Sequence, residues 1–146
     1  MVEAVIYDML KTNGPASLDQ VDVYFGVYPN TGGDNPNTKS WIVYYTNSTE
    51  PNDTKQGRST LDVVNVQLNI FSYDALTLRT ISMAVRNALD RKGGAGEVIY
   101  TDFDVQVSGI QFVNQISLFE FEETYNNKGV FQVSQFYDFR IKPQYD

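Results

Sequence analysis

The chain has 146 residues, and its 18 acidic residues outnumber the 11 Lys and Arg, which gives a formal net charge of −7. A chain of this length can bury one hydrophobic core, so residues 1–146 are predicted to form a single domain. The sequence contains neither His nor Cys, which excludes disulfides, thiol nucleophiles, Cys/His zinc sites and Ser-His-Asp triads. The acidic excess also disfavours binding to nucleic-acid phosphates, which depends on clustered Lys and Arg.

The N-terminal residues lack the features of a targeting segment. Glu3 and Asp8 interrupt the first apolar stretch, which also has no basic flank. No segment approaches the run of about 18 to 20 apolar residues that crosses a bilayer. We therefore expect a protein that is made and used in a cytoplasm, or assembled there into something larger.

The chain begins with a predicted helix and a predicted strand. Helical spacing of apolar residues predicts a helix over residues 2–11, and Asn13-Gly14-Pro15 then ends it. Residues 21–28 are β-branched and aromatic and precede Pro29, which predicts a short strand. Residues 30–40 are predicted to be a loop. A calcium site is not indicated there, because Asp34, Asn35 and Asn37 lack the ligand spacing of an EF-hand.

The next strand is predicted at residues 41–45, followed by a long polar loop at residues 46–60. Lys55 and Arg58, with Lys39 before the strand, make this region less acidic than the remainder. Trp41, Tyr44 and Tyr45 could stack on sugars or bases, but strands also favour aromatic residues for packing in a core or an interface. We expect the loop to be mobile, and loops of this length usually carry function or are disordered.

The central part of the sequence changes from a strand pattern to a helix pattern. Residues 61–72 alternate, and the buried face is predicted to carry Val64, Val66, Leu68 and Ile70. Asp74 is a plausible N-cap for the main helix. The apolar stripe of that helix is Leu78, Ile81, Val85, Ala88 and Leu89. Arg91 and Lys92 suit its C-terminal end, and the glycines of residues 93–96 end it.

The C-terminal part is predicted to be a long hairpin. Residues 98–103 are ambiguous. Residues 105–121 form one long strand whose inward side chains are predicted to be Ile110, Phe112, Ile116 and Leu118, with a bulge near Leu118. Asn126-Asn127-Lys128-Gly129 is the predicted turn. The last strand then alternates through Phe131, Val133, Tyr137, Phe139 and Ile141.

This order of elements, α-β-β-β-α-β-β, predicts an α+β fold. We expect a mostly antiparallel sheet of about five strands, with two helices packed on one face. The sequence shows no internal repeat and no domain boundary.

Two patterns could carry chemistry. Glu120, Glu122 and Glu123 could supply paired carboxylates for glycoside hydrolysis, but Glu120 and Glu122 lie two apart on a predicted strand, as a solvated strand face requires. The glycine cluster within residues 92–97 follows a helix and lacks Lys-Ser or Lys-Thr, so it is a helix end and not a phosphate-binding loop. Catalytic, cofactor-binding and metal-binding residues are therefore not predicted.

Several local patterns together resemble a known family. They are the helix of residues 2–11, the strand end Val27-Tyr28-Pro29, the strand Trp41-Ile42-Val43-Tyr44-Tyr45, the strand of residues 64–72 running into a helix that ends with residues 84–90, and the hairpin ending in residues 136–141. Across residues 2–141 they resemble the tail-completion, or tail-terminator, family of long-tailed bacteriophages. The chain differs from that pattern at Ser40, where a Pro often stands, and in the length of residues 100–123.

The resemblance implies a structural virion protein that acts without catalysis, cofactor or metal. Six copies are expected to form a ring that terminates the tail tube and joins it to the head-side neck protein, with double-stranded DNA passing through the ring without specific binding. The protein would be assembled in the host cytoplasm and located at the head-tail interface. Lys55, Arg58, Trp41 and Tyr45 are the predicted contacts with neighbouring subunits or the tube.

Two hypotheses follow from these features. The net charge of −7 suggests a channel lined by acidic residues, which would repel DNA phosphates. The loop of residues 46–60 is expected to become ordered only on contact with a neighbouring subunit or the tube, so deleting residues 52–57 would impair assembly while leaving the monomer folded.

The alternatives are another phage neck, tail-tube or baseplate protein and, in a different class, a cellular ligand-binding or interaction module. The module would use one exposed apolar face of the sheet. A carboxylate enzyme built on Glu120 or Glu122 is the weakest alternative.

Overall fold

The computed structural model describes residues 2–12, 14–26, 40–51, 62–90, 100–102, 105–122 and 128–143. The helices are α1, Val2–Tyr7, and α2, Ala75–Leu89; a π-helical turn at Asp8–Thr12 and a 3₁₀ turn at Ala16–Leu18 follow α1. The strands are β1, Asp22–Phe25; β2, Trp41–Pro51; β3, Asp62–Ser72; β4, Tyr100–Asp102; β5, Val105–Glu122; and β6, Lys128–Pro143. None of the described helices is long and apolar enough to span a membrane.

The six strands form one sheet in the order β1-β2-β3-β6-β5-β4. Every neighbouring pair is antiparallel except β1 and β2, which are parallel. The predicted α+β fold, with a mostly antiparallel sheet and two helices, is confirmed. The three-residue strand β4, in the segment that the sequence left ambiguous, is a sixth strand at the end of the sheet.

One face of the sheet, here called the covered face, packs against both helices. In β3 the residues alternate between buried and half-buried, and its four predicted core residues are buried. The apolar stripe predicted for α2 is buried as well, and it joins the same core cluster as Val5 and Ile6 of α1. The predicted N-cap is confirmed, because the side chain of Asp74 accepts a hydrogen bond from the amide of Thr77 at 3.2 Å.

Two residues, Gly14 and Lys11, determine how the first helical segment ends. A Cβ atom on Gly14 would lie 2.0 Å from the carbonyl oxygen of Leu10, so only glycine permits this close approach. The ammonium group of Lys11 donates to three carbonyl oxygens in and after the 3₁₀ turn, those of Leu18, Asp19 and Val21, at 2.9, 3.1 and 2.7 Å. These contacts hold the turn against the first helical segment and lead the chain into β1.

The prediction of a loop directly after residue 45 was wrong. Strand β2 continues to Pro51, and its partners in β3 run from Phe71 opposite Trp41 to Asp62 opposite Pro51. The polar residues here form a strand because the backbone of β3 supplies hydrogen-bond donors and acceptors next to them. A bulge between Thr46 and Ser48 accommodates one residue that has no partner in β3. Residues 46–51 are thus already paired within one subunit, and residues 52–60 of the predicted loop lie outside the described residues.

The prediction of the inward side of β5 was wrong at Ile116, and the side chain of Leu118 lies outside the described part of the structure. The register of β5 on β6 shifts between Val107 and Gly109 and between Phe112 and Asn114, and it is regular at Leu118, where the sequence predicted a bulge. Ile110 is buried, as predicted, but Ile116 is 46% exposed. The second bulge moves Ile116 to the face opposite the helices, because one extra residue inverts the alternation of side chains.

The predicted C-terminal hairpin is confirmed, since β5 and β6 pair from Val105 opposite Pro143 to Glu122 opposite Lys128. Lys128 and Gly129, predicted as part of the turn, already belong to β6. Residues 123–127 lie outside the described residues, as do most of the predicted loop of residues 30–40 and the glycines of residues 93–96.

Candidate interaction surfaces

The second face of the sheet, here called the open face, has no helix packed on it among the described elements. It carries a small apolar cluster at one end and hydrogen-bonded polar side chains at its centre. A sheet with one uncovered face has to be satisfied by solvent or by another protein. The open face is therefore the first candidate interaction surface.

The apolar cluster is built around Trp41, Val43 and Val130, with Tyr24, Phe71 and Tyr73 packed against it. The indole of Trp41 stacks on the ring of Phe71, directly opposite on β3, with 5.1 Å between centroids and an interplanar angle of 12°. A second ring, that of Tyr73, lies 5.8 Å from the indole. Such cross-strand aromatic pairs stabilise a sheet without a helix above them.

A row of amide and hydroxyl side chains crosses the centre of the open face. Asn47 donates to Asn65, which donates to the carboxylate of Asp138, both at 3.0 Å. Asn69 accepts hydrogen bonds from Gln67 at 3.0 Å and from Ser134 at 2.7 Å. This amide row holds β2, β3 and β6 together and presents a hydrogen-bonding, mostly uncharged surface.

Two of the four predicted contact residues lie in the described part of the chain. Trp41 is 7% exposed, so it presents little of its surface, whereas Tyr45 on the same strand is half-buried. Lys55 and Arg58 lie outside the described residues. The structure therefore brings Trp41 and Tyr45 onto one strand at the edge of the open face, and the prediction that all four residues contact a subunit or tube stays a prediction.

Sequence reasoning missed the partners of the amide row. The alternation of Asn65, Gln67 and Asn69 indicated a solvent-exposed strand face. Ser134 and Asp138 belong to the amide row only because β6 lies next to β3. Asn69 and Ser134 are 65 residues apart in the sequence, and Asn65 and Asp138 are 73 residues apart. Neither segment carries a local signal of this pairing, so the amide row could not be predicted from the sequence.

The interior of the covered face contains a fully hydrogen-bonded amide side chain. Gln135, which is 1% exposed, accepts a hydrogen bond from the Tyr137 hydroxyl at 2.6 Å. Its amide nitrogen donates to the carbonyl of Ser82 in α2 and to the side chain of Gln115, both at 3.0 Å. Because every polar atom of this buried amide has a partner, the group fixes the position of α2 over β5 and β6.

The two buried tyrosines of the covered face are held in the neutral form. Burial, with a smaller effect from the carboxylate of Glu3, raises the pKa of Tyr44 to about 12. The Tyr44 hydroxyl donates to the carbonyl of Glu3 at 2.9 Å and so ties α1 to the sheet. Burial, with a smaller contribution from Asp90, also raises the pKa of Tyr137 well above its ordinary value. These hydroxyls serve as structural donors at neutral pH.

Shallow grooves run along the outer side of α2. A groove of 550 Å³ lies between α2 and the first helical segment, lined by Met9, Pro15, Met83 and Ala88 among others. On the helix itself Leu76 is 74% exposed and Met83 is 57% exposed. A further groove of 460 Å³, between α2 and β5, is lined partly by polar side chains, among them Arg79, Arg86 and Gln115.

The described residues offer no constellation for metal chemistry, because they contain no group of three or more acidic residues that could hold a metal ion. Glu120 and Glu122 lie in β5, with their backbones opposite Val130 and Lys128. Their side chains lie outside the described part of the structure, so the carboxylate-enzyme alternative is not tested.

Comparison with known proteins gives a match in fold and none in sequence. No family model matches the sequence, and no curated protein sequence is significantly similar to it. A solved structure, the virion of a native gene transfer agent (GTA) particle, contains a chain with the same fold. The superposition covers 97% of this chain and 94% of that chain, with a TM-score of 0.65 and 14% sequence identity. The similarity is a similarity of fold over nearly the full length of both chains.

Proposed function

We propose that this protein is a structural component of a phage-like virion. The observation that carries the proposal is the match of 97% of the chain to 94% of a chain in a GTA virion particle. Almost all of both chains is included in the superposition. Such a match favours a shared role more strongly than a match to a single domain of a larger protein. Folds alone host many functions, so the role needs support from the surfaces as well.

Within the virion, the proposed role is a ring of six copies that terminates the tail tube and joins it to the head-neck connector. The element order along the sequence supports this role through its resemblance to tail-terminator proteins. The fold supports it in a second way, since the described elements leave one face and parts of both edges of the sheet uncovered, and these would be satisfied in an assembly. The proposed partners are further copies of the chain, the tail-tube protein and the head-closure protein.

The surface chemistry is compatible with a passage for DNA. The centre of the open face carries amides, a hydroxyl and the carboxylate of Asp138, and the whole chain carries a net charge of −7. A wall without clustered cations would let the duplex slide, because phosphates would find few counter-charges to hold them. A ring whose inner wall is lined by Lys and Arg, with the acids turned outward, would contradict this part of the proposal.

Removal of the gene from the producing genome tests the function. If the protein terminates the tube and joins it to the neck, particles made without it will show filled heads without tails and free tubes of uncontrolled length. Supplying the gene on a plasmid should restore joined particles. Electron microscopy of the lysates gives the readout, and a plasmid copy with an early stop codon is the matched control.

Other outcomes would assign the protein elsewhere. Heads joined to tails that lack only their distal end would place the chain in the baseplate, and heads with no tubes at all would indicate a tube subunit. Normal, infectious or gene-transferring particles would contradict a virion role altogether. Immunogold labelling of the parent particle would show independently where the chain is incorporated.

A further inference from the structure

Over most of its length, the outer edge of β5 is not paired with any of the described strands. Strand β4 pairs only with residues 105–107 of β5. A little further on, the carboxylate of Asp90 at the end of α2 accepts a hydrogen bond from the amide of Phe112 at 3.2 Å, and Arg86 of α2 lies 4.0 Å from the centroid of the Phe112 ring. From residue 113 to residue 122, no described strand pairs with this edge. These residues are called the β5 edge.

On the opposite side of the sheet, the described strands leave part of the outer edge of β2 unpaired. Strand β1 pairs only with residues 41–44 of β2, and the amide of Gly26, at a φ of 84°, ends that pairing by donating to the carbonyl of Tyr44 at 2.9 Å. From residue 45 to residue 51, no described strand lies on the outer side of β2. These residues are called the β2 edge.

Most of each edge lacks the charges and prolines by which proteins protect an unpaired strand. The exceptions stand at the ends, where Glu50 and Pro51 close the β2 edge and Glu120 and Glu122 lie near the end of the β5 edge. Edge strands are commonly protected by Lys, other charges or Pro. Residues 113–119 contain no charged residue and no Pro, and neither do residues 45–49. On the β5 edge Val113 is 50% exposed and Ile116 is 46% exposed. Two apolar side chains are therefore exposed on the same strand. A strand of this kind is suited to pairing with another strand.

We infer that the β5 edge of one subunit pairs with the β2 edge of a second copy, so that the sheets of neighbouring subunits join into one. The directions of the strands support this pairing. Strand β2 is antiparallel to β3, β3 to β6, and β6 to β5, so β2 and β5 run in opposite directions. Two copies placed side by side in the same orientation therefore bring these edges together as an antiparallel pair.

The covered parts of the two edges are complementary in position. Strand β1 covers β2 at the end of the sheet where Trp41 lies opposite Phe71. Strand β4 covers β5 at the other end, where Val107 lies opposite Ile141. When the free part of β5 faces the free part of β2, the two short strands lie beyond opposite ends of the new pair and do not collide. The neighbouring sheets are then displaced along the strand direction.

This contact joins two different surfaces, so a growing oligomer keeps one free β5 edge and one free β2 edge, at its two ends, until the ring closes. Pairing of β5 with β5 of a second copy would instead stop at a two-fold dimer. The inference rests on the proposed ring, and it identifies the contact that builds it.

Engineered cysteines give a direct test, because the chain has no cysteine of its own. Ile116 and Ser48 are both exposed. They lie opposite Ser134 and Asn65, two members of the amide row on the open face. The variant with Ile116→Cys and Ser48→Cys would be treated with a thiol reagent that spans about 8 Å, the reach of diagonal cross-strand neighbours. The matched control combines Ser48→Cys with Ser117→Cys, because Ser117 is exposed but belongs to the covered face.

The expected result is a ladder of covalent multimers from the Ile116/Ser48 variant and none from the Ser117/Ser48 control. Mixing the two single variants should give dimers only. Dimers from Ile116→Cys alone would overturn the inference in favour of β5 pairing with itself. Oligomers of the normal size without cross-links would overturn the edge pairing while leaving the ring intact. A protein that stays monomeric at every concentration would also overturn the inferred edge pairing. The virion role would then still be tested separately by the gene-removal experiment.

A charge on the β5 edge supplies a second readout. Ile116→Lys should raise the concentration for half-maximal assembly by about tenfold or more, since a lysine on an edge strand opposes pairing with another strand. Met83→Lys, at an exposed apolar position on α2, is the matched control and should leave assembly unchanged. Sedimentation of both variants, with thermal unfolding of the monomers to show equal stability, gives the measurement. Equal assembly of the two variants would contradict the inference.

Discussion

The side chains on the two faces of the sheet are stabilised by different interactions. On the covered face, alternate residues of β3 such as Leu68 and Ile70 are buried beneath the helices. On the open face, the intervening residues Gln67 and Asn69 are half-buried and bond to one another. The covered face is stabilised by apolar burial within the subunit, which is large and non-directional. The open face is stabilised by directional hydrogen bonds that also remain available to solvent or a partner.

Because of this difference, alternate residues of β3 are expected to contribute to different properties, either the stability of the subunit or its association with other copies. Changes on the covered face are expected to lower the stability of the monomer. Changes on the open face and the free edges are expected to spare the monomer and to alter its association. The following substitutions test that separation.

The largest effect is expected for Leu68→Ala, because Leu68 is fully buried. Truncation of a buried leucine costs about 2 to 5 kcal/mol in the free energy of unfolding. The next residue, Asn69, provides the control, and Asn69→Ala should cost only about 0.5 to 1.5 kcal/mol for its hydrogen bonds to Gln67 and Ser134. Urea unfolding measures both values. Equal losses at the two positions would contradict the distinction between the faces.

A somewhat smaller effect is expected for Gly14→Ala. The new Cβ would meet the carbonyl oxygen of Leu10 at 2.0 Å, so the backbone has to shift, which costs about 1 to 3 kcal/mol. The loss should appear as a lower midpoint of thermal unfolding. Ser17→Ala, in the neighbouring 3₁₀ turn, is the control and should change the midpoint little. An unchanged midpoint for Gly14→Ala would show that the first helical segment contributes little to the covered face.

Tyr137→Phe compares a hydrogen bond on the covered face with those of the open face. Without the hydroxyl, the side-chain oxygen of Gln135 loses its donor at a site that is 1% exposed. We expect a loss of about 1 to 2 kcal/mol in urea unfolding, since a buried unpaired acceptor carries its full desolvation cost. Replacing both partners, with Gln135→Leu added, should recover part of the loss. A double variant that is less stable than the sum of the two single variants would argue against this explanation.

The smallest effect is expected for the exposed N-cap of α2. The hydroxyl and the amide of Thr77 both donate to Asp74 and hold the pKa of that carboxyl below its ordinary value. A lowered pKa in the folded state means that the native protein binds fewer protons, so this contribution is present above the ordinary pKa and is lost as the pH falls through the lowered pKa. Asp74→Ala should therefore reduce stability slightly at neutral pH, and the difference from the parent should shrink in acid. A difference independent of pH would contradict it.

The sequence predicted well the elements in which local pattern and tertiary contact agree. Strand β3 and helix α2 each have one apolar face, and that face is buried where the alternation or the helical spacing placed it. Asp74 caps α2 because a short acceptor side chain before a helix needs no distant partner. Strand β3 begins one residue later than predicted, at Asp62, and α2 ends at Leu89, whereas the sequence placed Arg91 and Lys92 at its C-terminal end.

The failures have a common physical cause. Residues 46–51 are polar and read as a loop, but β3 supplies a backbone ladder that makes them a strand. Ile116 was placed inward because the bulge between Phe112 and Asn114 has no apolar signature. Strand order is likewise invisible locally, so neither the amide row nor the two free edges could be predicted from the sequence. The interaction surfaces depend on those long-range pairings.

A reconstruction of the region between head and tail in the assembled particle tests the central claim most directly. The account predicts a ring of six copies of this fold at the end of the tail tube, with the β5 edge of each copy beside the β2 edge of the next. Finding the chain at another position in the particle, or in a ring whose subunits leave both edges free, would contradict it.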